Sequence, residues 1–244
     1  MFQPPFSTLD FLIPDIRARG YALLAPDDVV RFTGCAMGEL EALLPAWDDL
    51  PPDEYLRDGG RYRYRRHASY RCERGVLEDV PHRAHWQSLD YNALHGGMLR
   101  WFAPVSEETR ARPAWHRVIT AVAAVCDEVR GTHRWSVEAH QFRIDTSDGI
   151  GRPTPEGAHR DGVDFVAVFL LARQAIKGGE TRVFEADGPS GLRFTLEQPW
   201  SLMLMDDPRV IHESTPIQPV AEGVNGYRDT LVLTYRAGGF QDEA

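Results

Sequence analysis

Residues 157–185 read GAHRDGVDFVAVFLLARQAIKGGETRVFE, and this stretch decides the fold class. Residues 165–171 are an unbroken run of apolar β-formers and 181–185 are a second short strand pattern. The Gly-Gly-Glu-Thr of 178–181 between them suits a tight turn that opens the next strand. Working outward, residues 134–145, 192–196, 200–205 and 230–236 have the same strand character, separated by clusters of Gly, Pro and Asp. Short strands at even spacing predict a sandwich or barrel.

Before residue 131 the pattern changes. Residues 9–17 read as a helix ending before Gly20, and 20–24 as a strand. Asp27 and Asp28 suit the start of a second helix, because carboxylates favour the positive end of the helix dipole. Residues 61–73, RYRYRRHASYRCE, read as a strand with one basic face, expected to be solvated, or else to approach a substrate carboxylate. Trp115, Val118, Val122, Val125 and Val129 recur at helical spacing, with Pro113 suited to the first turn and Gly131 to the stop. That helix should face the core. The expected architecture is one domain over 1–244: an α-rich portion over 1–131, giving buttress and lid elements, and a β core over 132–244.

Hydrophobic residues make up 43% of the 244 and charged residues 26%, as in an ordinary soluble protein with a sizeable core. The net charge of −9 argues against nucleic acid as a partner, which needs a basic stripe, but allows local basic pockets. No apolar run approaches a membrane span, and MFQPPFSTLDF lacks the basic and apolar regions of a signal peptide. Cys35, Cys72 and Cys126 are an odd number without a CxxC, as expected of free, buried thiols in a cytoplasmic protein.

Of nine histidines, only His159 begins an H-x-D triplet, His159-Arg160-Asp161. In a strand, residues two apart share a face, so both side chains can reach one metal while Arg160 points away. His212 lies 51 residues past Asp161, far enough for the chain to cross a barrel and return. Two His and one carboxylate occupy one face of an octahedral metal and leave three positions open, the arrangement of non-haem iron(II) oxygenases. Two open positions suit a 2-oxo acid and the third suits O2. A 2-oxoglutarate bound this way has a second carboxylate that needs a buried cation, and the planar fork of Arg matches it. Arg228, 16 residues after His212, opens the strand RDTLVLTYR, with Thr230 on the same face. Arg236 shares that face at the far end and is the alternative counter-ion. Gln141 and Arg143 alternate on the strand leading towards His159 and either meet an anionic ligand in the cavity or lie on a solvated face. His212 begins HESTP, not HExxH, so a zinc-protease motif is excluded; no phosphate-cradling loop or nucleophile elbow is present.

The run 157–185, then MLMDDPRVIHESTPI and YRDTLVLTYR, resembles the bacterial 2-oxoglutarate/iron dioxygenase family that contains the L-isoleucine 4-hydroxylases. VEAHQFRI and QSLDYNALHGGMLRWFAP are similar as well. The resemblance implies a double-stranded β-helix (a jelly-roll, cupin-like barrel), mostly β with flanking α. It implies iron(II) on His159, Asp161 and His212, with 2-oxoglutarate on Arg228, and hydroxylation or sulfoxidation of a small substrate, a free L-amino acid, with release of succinate and CO2. The rivals are a cupin-like metal-binding barrel that serves as a ligand sensor, and a metal-dependent isomerase or hydrolase. An intact His/Asp/His set with Arg228 argues against the sensor.

Overall fold

The computed structural model describes residues 3–92 and 94–243. The first part contains helix α1 (Leu12–Arg19), strand β1 (Tyr21–Leu24), helices α2 (Pro26–Thr33) and α3 (Met37–Glu41), strands β2 (Arg63–Glu73) and β3 (Val76–Asp79), and helices α4 (Glu107–Arg110) and α5 (Pro113–Arg130). Strands fill the rest: β4 (Trp135–Asp145), β5 (Phe165–Gln174), β6 (Ile176–Gly178), β7 (Thr181–Glu185), β8 (Gly191–Phe194), β9 (Leu202–Asp206), β10 (Val210–Ser214), β11 (Ile217–Pro219) and β12 (Tyr227–Arg236). Among the described residues no helix is long and apolar enough to cross a membrane.

A seven-stranded antiparallel sheet runs in the order β1-β9-β5-β12-β4-β2-β3. A three-stranded sheet, β10-β7-β8, and a pair, β11-β6, form the second layer. This is the jelly-roll arrangement, mostly β with flanking helices, but the sheets are not joined into a closed barrel. Residues 1–131 do more than buttress. Strand β2 pairs with β4 over ten residues, and β1 closes the far edge on β9.

The period-2 alternation of the strands decides what each sheet face meets. On the outer face, Trp135, Val137 and Ala139 of β4, Leu202 and Leu204 of β9, and Leu231, Leu233 and Tyr235 of β12 pack under the helices. There they meet Leu12 and Ile16 of α1, Val29 of α2 and Trp115, Val118, Ile119 and Val122 of α5. On the inner face, Val166 and Val168 of β5 and Met203 and Met205 of β9 meet Val183, Phe194 and Val210 of the small sheet. Near its β2 side the same inner face turns polar, and the layers part around a pocket.

The anticipated helix over 113–130 runs from a first-turn Pro113 to Gly131, as the punctuation requires. Its Trp115 is fully buried and donates from Nε1 to the Tyr70 hydroxyl at 2.8 Å. The GGET turn is real: Gly178 and Gly179 have φ of +79° and +67°, and a Cβ on Gly178 would meet the Pro216 carbonyl at 2.3 Å. The three cysteines are free and buried. Trp115→Ala removes a fully buried indole of α5 and the hydrogen bond it donates to the Tyr70 hydroxyl. Urea unfolding should register a loss of about 3–5 kcal/mol, against a smaller loss for Trp115→Phe.

Candidate active site

His159 and Asp161 do not lie in a regular strand, as the H-x-D spacing suggests they should. They sit in an irregular segment before β5 in which His159 makes one isolated antiparallel bridge with His212 of β10. His159 N–H donates to His212 O at 3.0 Å, and His212 N–H donates back at 2.9 Å. The two imidazoles stand 4.6 Å apart, centroid to centroid. The Asp161 carboxylate closes the group, with Oδ1 3.9 Å from His159 Nε2 and Oδ2 3.6 Å from His212 Nε2. Ligating atoms of all three lie within 4.8 Å of one another.

Their surroundings suit a metal. His159 Nδ1–H donates to the Gly157 carbonyl at 2.9 Å, which leaves the Nε2 lone pair directed at the site. Burial and the neighbouring His159 push the His212 imidazole far below its usual pKa, so it is neutral and ready to ligate. Burial alone would lower His159 too, but the Asp161 and Glu156 carboxylates outweigh it and raise the imidazole. That excess of negative charge around two histidines is what a cation relieves. The Asp161 segment is fixed by Asp207, whose carboxylate accepts backbone N–H bonds from Asp161, Gly162 and Val163 at 3.0, 2.9 and 3.2 Å. Gly162 has φ +77°, and a Cβ there would strike the Tyr91 ring at 2.3 Å. Gln87 Nε2 donates to Asp161 Oδ1 at 3.2 Å, and Gln241 Nε2 to the Asp161 carbonyl at 2.8 Å.

Arg228 and Thr230 line the same pocket as the triad. Both are buried on β12. A register shift between β12 and β5 falls at Asp229/Thr230 and sets Arg173 opposite Arg228. Burial and the Arg173 charge press the Arg228 guanidinium down to about 10, with Asp229 opposing. Arg236 is pinned elsewhere, donating from Nη1 to the Gly239 and Phe240 carbonyls. Gln141 and Arg143 are not brought to this pocket. Gln141 Nε2 reaches the Ala46 carbonyl at 3.5 Å, and Arg143 makes a two-pronged pair with Asp229 at 2.8 and 2.7 Å. The physical reason is parity. Val137 and Ala139 bury against the helices and take residues 141 and 143 to that side, so Glu138, His140, Phe142 and Ile144 face the pocket.

The basic face of β2 is not solvated. Arg63 and Arg65 are buried and line the pocket with Arg100. Arg63 pairs with Asp53 at 2.7 Å; Arg65 stacks on Phe102 and Phe142, 3.6 and 4.3 Å from their centroids. The alternation of RYRYRR was a readable signal of this face. Nothing local marked Gln87, Arg100, Glu156 or Asp207, whose positions come from loops. A second buried cluster joins His67, His85, Glu138 and His140. Glu138 Oε1 accepts from His67 Nε2 and His85 Nδ1, both at 3.0 Å. Burial drives His85 down to about 4 and Glu138 upward, but the two imidazoles outweigh burial and hold that carboxyl well below its usual range. Arg65 Nη2 donates to His140 Nδ1 at 2.7 Å, taking that lone pair. A carboxylate already bonded to two imidazoles, beside guanidinium groups, disfavours a second dication.

Facing sheets with two histidines and one aspartate gathered between them point to the mononuclear non-haem iron oxygenases. Residues 44–234 match the family model of the 2OG-Fe dioxygenases, and the chain belongs to that family. Its cofactors are iron(II), 2-oxoglutarate and O2. The chain is similar to a bsmA homologue from Methylobium petroleophilum, with 50% identity and a TM-score of 0.93 over 99% of this chain and 98% of that one. IDO from Bacillus thuringiensis shares the fold at 16% identity, with a TM-score of 0.78 over 95% of this chain and 100% of that one. The Fe(II)/α-ketoglutarate-dependent dioxygenase TqaL does so at 17% identity, with a TM-score of 0.74 over 96% and 89%. No curated protein matches the chain.

Asp207 should matter to the metal without touching it. Asp207→Ala leaves three backbone N–H groups unpaired and loosens the segment that carries Asp161. Anaerobic titration should show iron(II) affinity falling by roughly 10–100-fold in a protein that remains folded. Unchanged iron affinity would show that the segment keeps its shape without that carboxylate.

Proposed function

We propose that this enzyme oxidises a free L-amino acid, or a close derivative, with His159, Asp161 and His212 holding iron(II) and Arg228 holding the distal carboxylate of 2-oxoglutarate. The observation that carries this reading is Arg228. It is 6% exposed, faces the pocket beside the triad, and its guanidinium has no hydrogen bond or ion pair among the described residues. A buried guanidinium without an anion is costly, and a second cation, Arg173, lies across the register from it. A dicarboxylate cosubstrate offsets both.

Iron(II), when bound, supplies the redox chemistry in which substrate C–H, 2-oxoglutarate and O2 become substrate C–OH, succinate and CO2; a thioether sulfur can receive the oxygen atom instead. The protein's part is position and environment. Gly157 O holds the His159 tautomer, Gln87 engages one oxygen of Asp161, and Asp207 fixes the loop between them. Thr230 places a hydroxyl on the same strand face as Arg228. Val166, Val168, Met203 and Val232 give the pocket an apolar wall that excludes water and accepts an aliphatic side chain. The remaining wall carries charged groups of both signs, Arg100 and Glu156 among them, which match the two charges of a free amino acid.

Succinate release with iron(II), 2-oxoglutarate and a panel of amino acids tests the substrate. Aliphatic L-amino acids should raise turnover above the uncoupled rate, and stimulation by peptides alone would overturn the amino-acid assignment. His159→Ala and Asp161→Ala should abolish turnover. Arg228→Ala should weaken 2-oxoglutarate by about two orders of magnitude or more, and Arg228→Lys should recover only part of that, because an ammonium cannot form the fork. Thr230→Val should cost about 1 kcal/mol of 2-oxoglutarate binding. Arg236→Ala, which breaks only bonds to Gly239 and Phe240, should leave 2-oxoglutarate affinity intact.

A further inference from the structure

Arg100 is the most deeply buried of the four pocket arginines, at 2% exposure. It lies in the segment joining β3 to α4, where a two-bond bridge with His85 pins its backbone: His85 N–H donates to Arg100 O at 2.9 Å and Arg100 N–H donates to His85 O at 3.0 Å. Its guanidinium donates from Nη2 to Gln87 Oε1 at 2.9 Å, a neutral acceptor, while Nε is buried without a partner. Among the described residues no carboxylate lies within ion-pair distance of it. Of the nearby acids, Asp53 pairs with Arg63 at 2.7 Å, Glu138 Oε1 accepts from His67 and His85, and Glu156 Oε1 faces His159 Nε2 at 3.4 Å. Arg65 differs, because His140 and two aromatic rings occupy its faces. Arg100 is thus a buried charge whose guanidinium bonds one neutral amide oxygen and lies 5.7 Å from the Phe102 ring centroid, in the wall of a cavity. That is unfavourable unless an anion arrives.

The place of this charge indicates which anion. Gln87 bonds Arg100 on one side and donates to Asp161 Oδ1 on the other, so Arg100 stands two hydrogen bonds from the metal-ligand carboxylate. Asn92 Nδ2 donates to the same Gln87 oxygen at 3.2 Å and fixes the amide's orientation. Arg228 and Arg100 come from β12 and from the β3–α4 segment, and two separate unpaired guanidinium groups in one pocket call for two anionic ligands. We propose that Arg100 reads the free carboxylate of the substrate and restricts the enzyme to compounds that carry one. This rests on the amino-acid reading above and goes beyond it: an amino-acid amide, a decarboxylated amine or a residue inside a peptide lacks the charge that completes the site. The planar fork accepts a carboxylate through two parallel N–H bonds, which an amide's single oxygen cannot match.

The test compares L-isoleucine with L-isoleucinamide on wild type, Arg100→Met and Arg100→Lys, each loaded anaerobically with iron(II) and 2-oxoglutarate. Calorimetry measures binding, and succinate release in air measures turnover. Wild type should prefer the acid to the amide by about a hundredfold or more, the scale of a buried charge pair. Arg100→Met should lose that preference by weakening the acid, with little change for the amide. Arg100→Lys, which keeps the charge and guards against a folding defect in the Met variant, should restore part of it. Acid-over-amide preference surviving in Arg100→Met overturns the assignment. So does loss of 2-oxoglutarate binding in that variant, which would place Arg100 in the cosubstrate site. If wild type responds to neither compound nor to any other amino acid, the substrate reading itself falls and this proposal falls with it.

Discussion

The pair of backbone hydrogen bonds between His159 and His212 is the constraint on which the rest of the site depends. One histidine precedes β5 in the large sheet, and the other lies on β10 in the small one. The two bonds, at 3.0 and 2.9 Å, therefore tie the layers together where the candidate metal ligands gather. Backbone groups buried between sheets must pair. Pairing here also sets the two imidazoles side by side. Asp161 then needs only a short turn to join them, and Asp207 stabilises that turn by accepting the backbone N–H bonds of three consecutive residues.

Around this pair the inner sheet face divides by chemistry. Towards β5 and β9 it is aliphatic and meets the small sheet directly. Towards β2 and β4 it carries Arg63, Arg65, Glu138 and His140, and no apolar layer can close over them without stranding charge. The pocket is where the two halves of that face meet. Charges inside it are balanced locally where protein partners suffice, as in Arg63–Asp53, and left open at Arg228 and Arg100. Binding energy for an anion is highest where a cation has already been desolvated without a partner. The residues that look least satisfied within the chain are for that reason the ones that say most about its ligands.

Much of this was legible locally. The apolar run 165–171, the GGET turn and the Pro113–Gly131 punctuation of α5 each rest on interactions within a few residues or on period-2 alternation, whereas His159 and Asp161 were legible as a pair although no strand carries them. Strand faces were harder. Alternation says that Gln141 and Arg143 share a face, and that Glu138 and His140 share the other; it does not say which face meets helices. The packing of Trp135, Val137 and Ala139 under α5 decided that, and took Gln141 and Arg143 away from the pocket. The same ambiguity left open whether Arg63 and Arg65 meet solvent or a ligand; their strand lies inside the sheet between β4 and β3 and not at an exposed edge.

The sequence by itself determined the strand-rich class, the extent of α5, the acidic net charge and the identity of three metal-ligating candidates with a candidate arginine. These follow from residue type, periodicity and net charge, which are properties of short stretches or of the whole composition. Only the tertiary structure decided that Gln87 and Arg100 stand beside Asp161, that Asp207 holds the ligand segment, and that Arg236 is spent on carbonyls. Those contacts join loops far apart in the chain. The physical reason is that a loop residue's surroundings are set by the packing of the sheets beneath it, and no local rule of alternation or propensity carries that information.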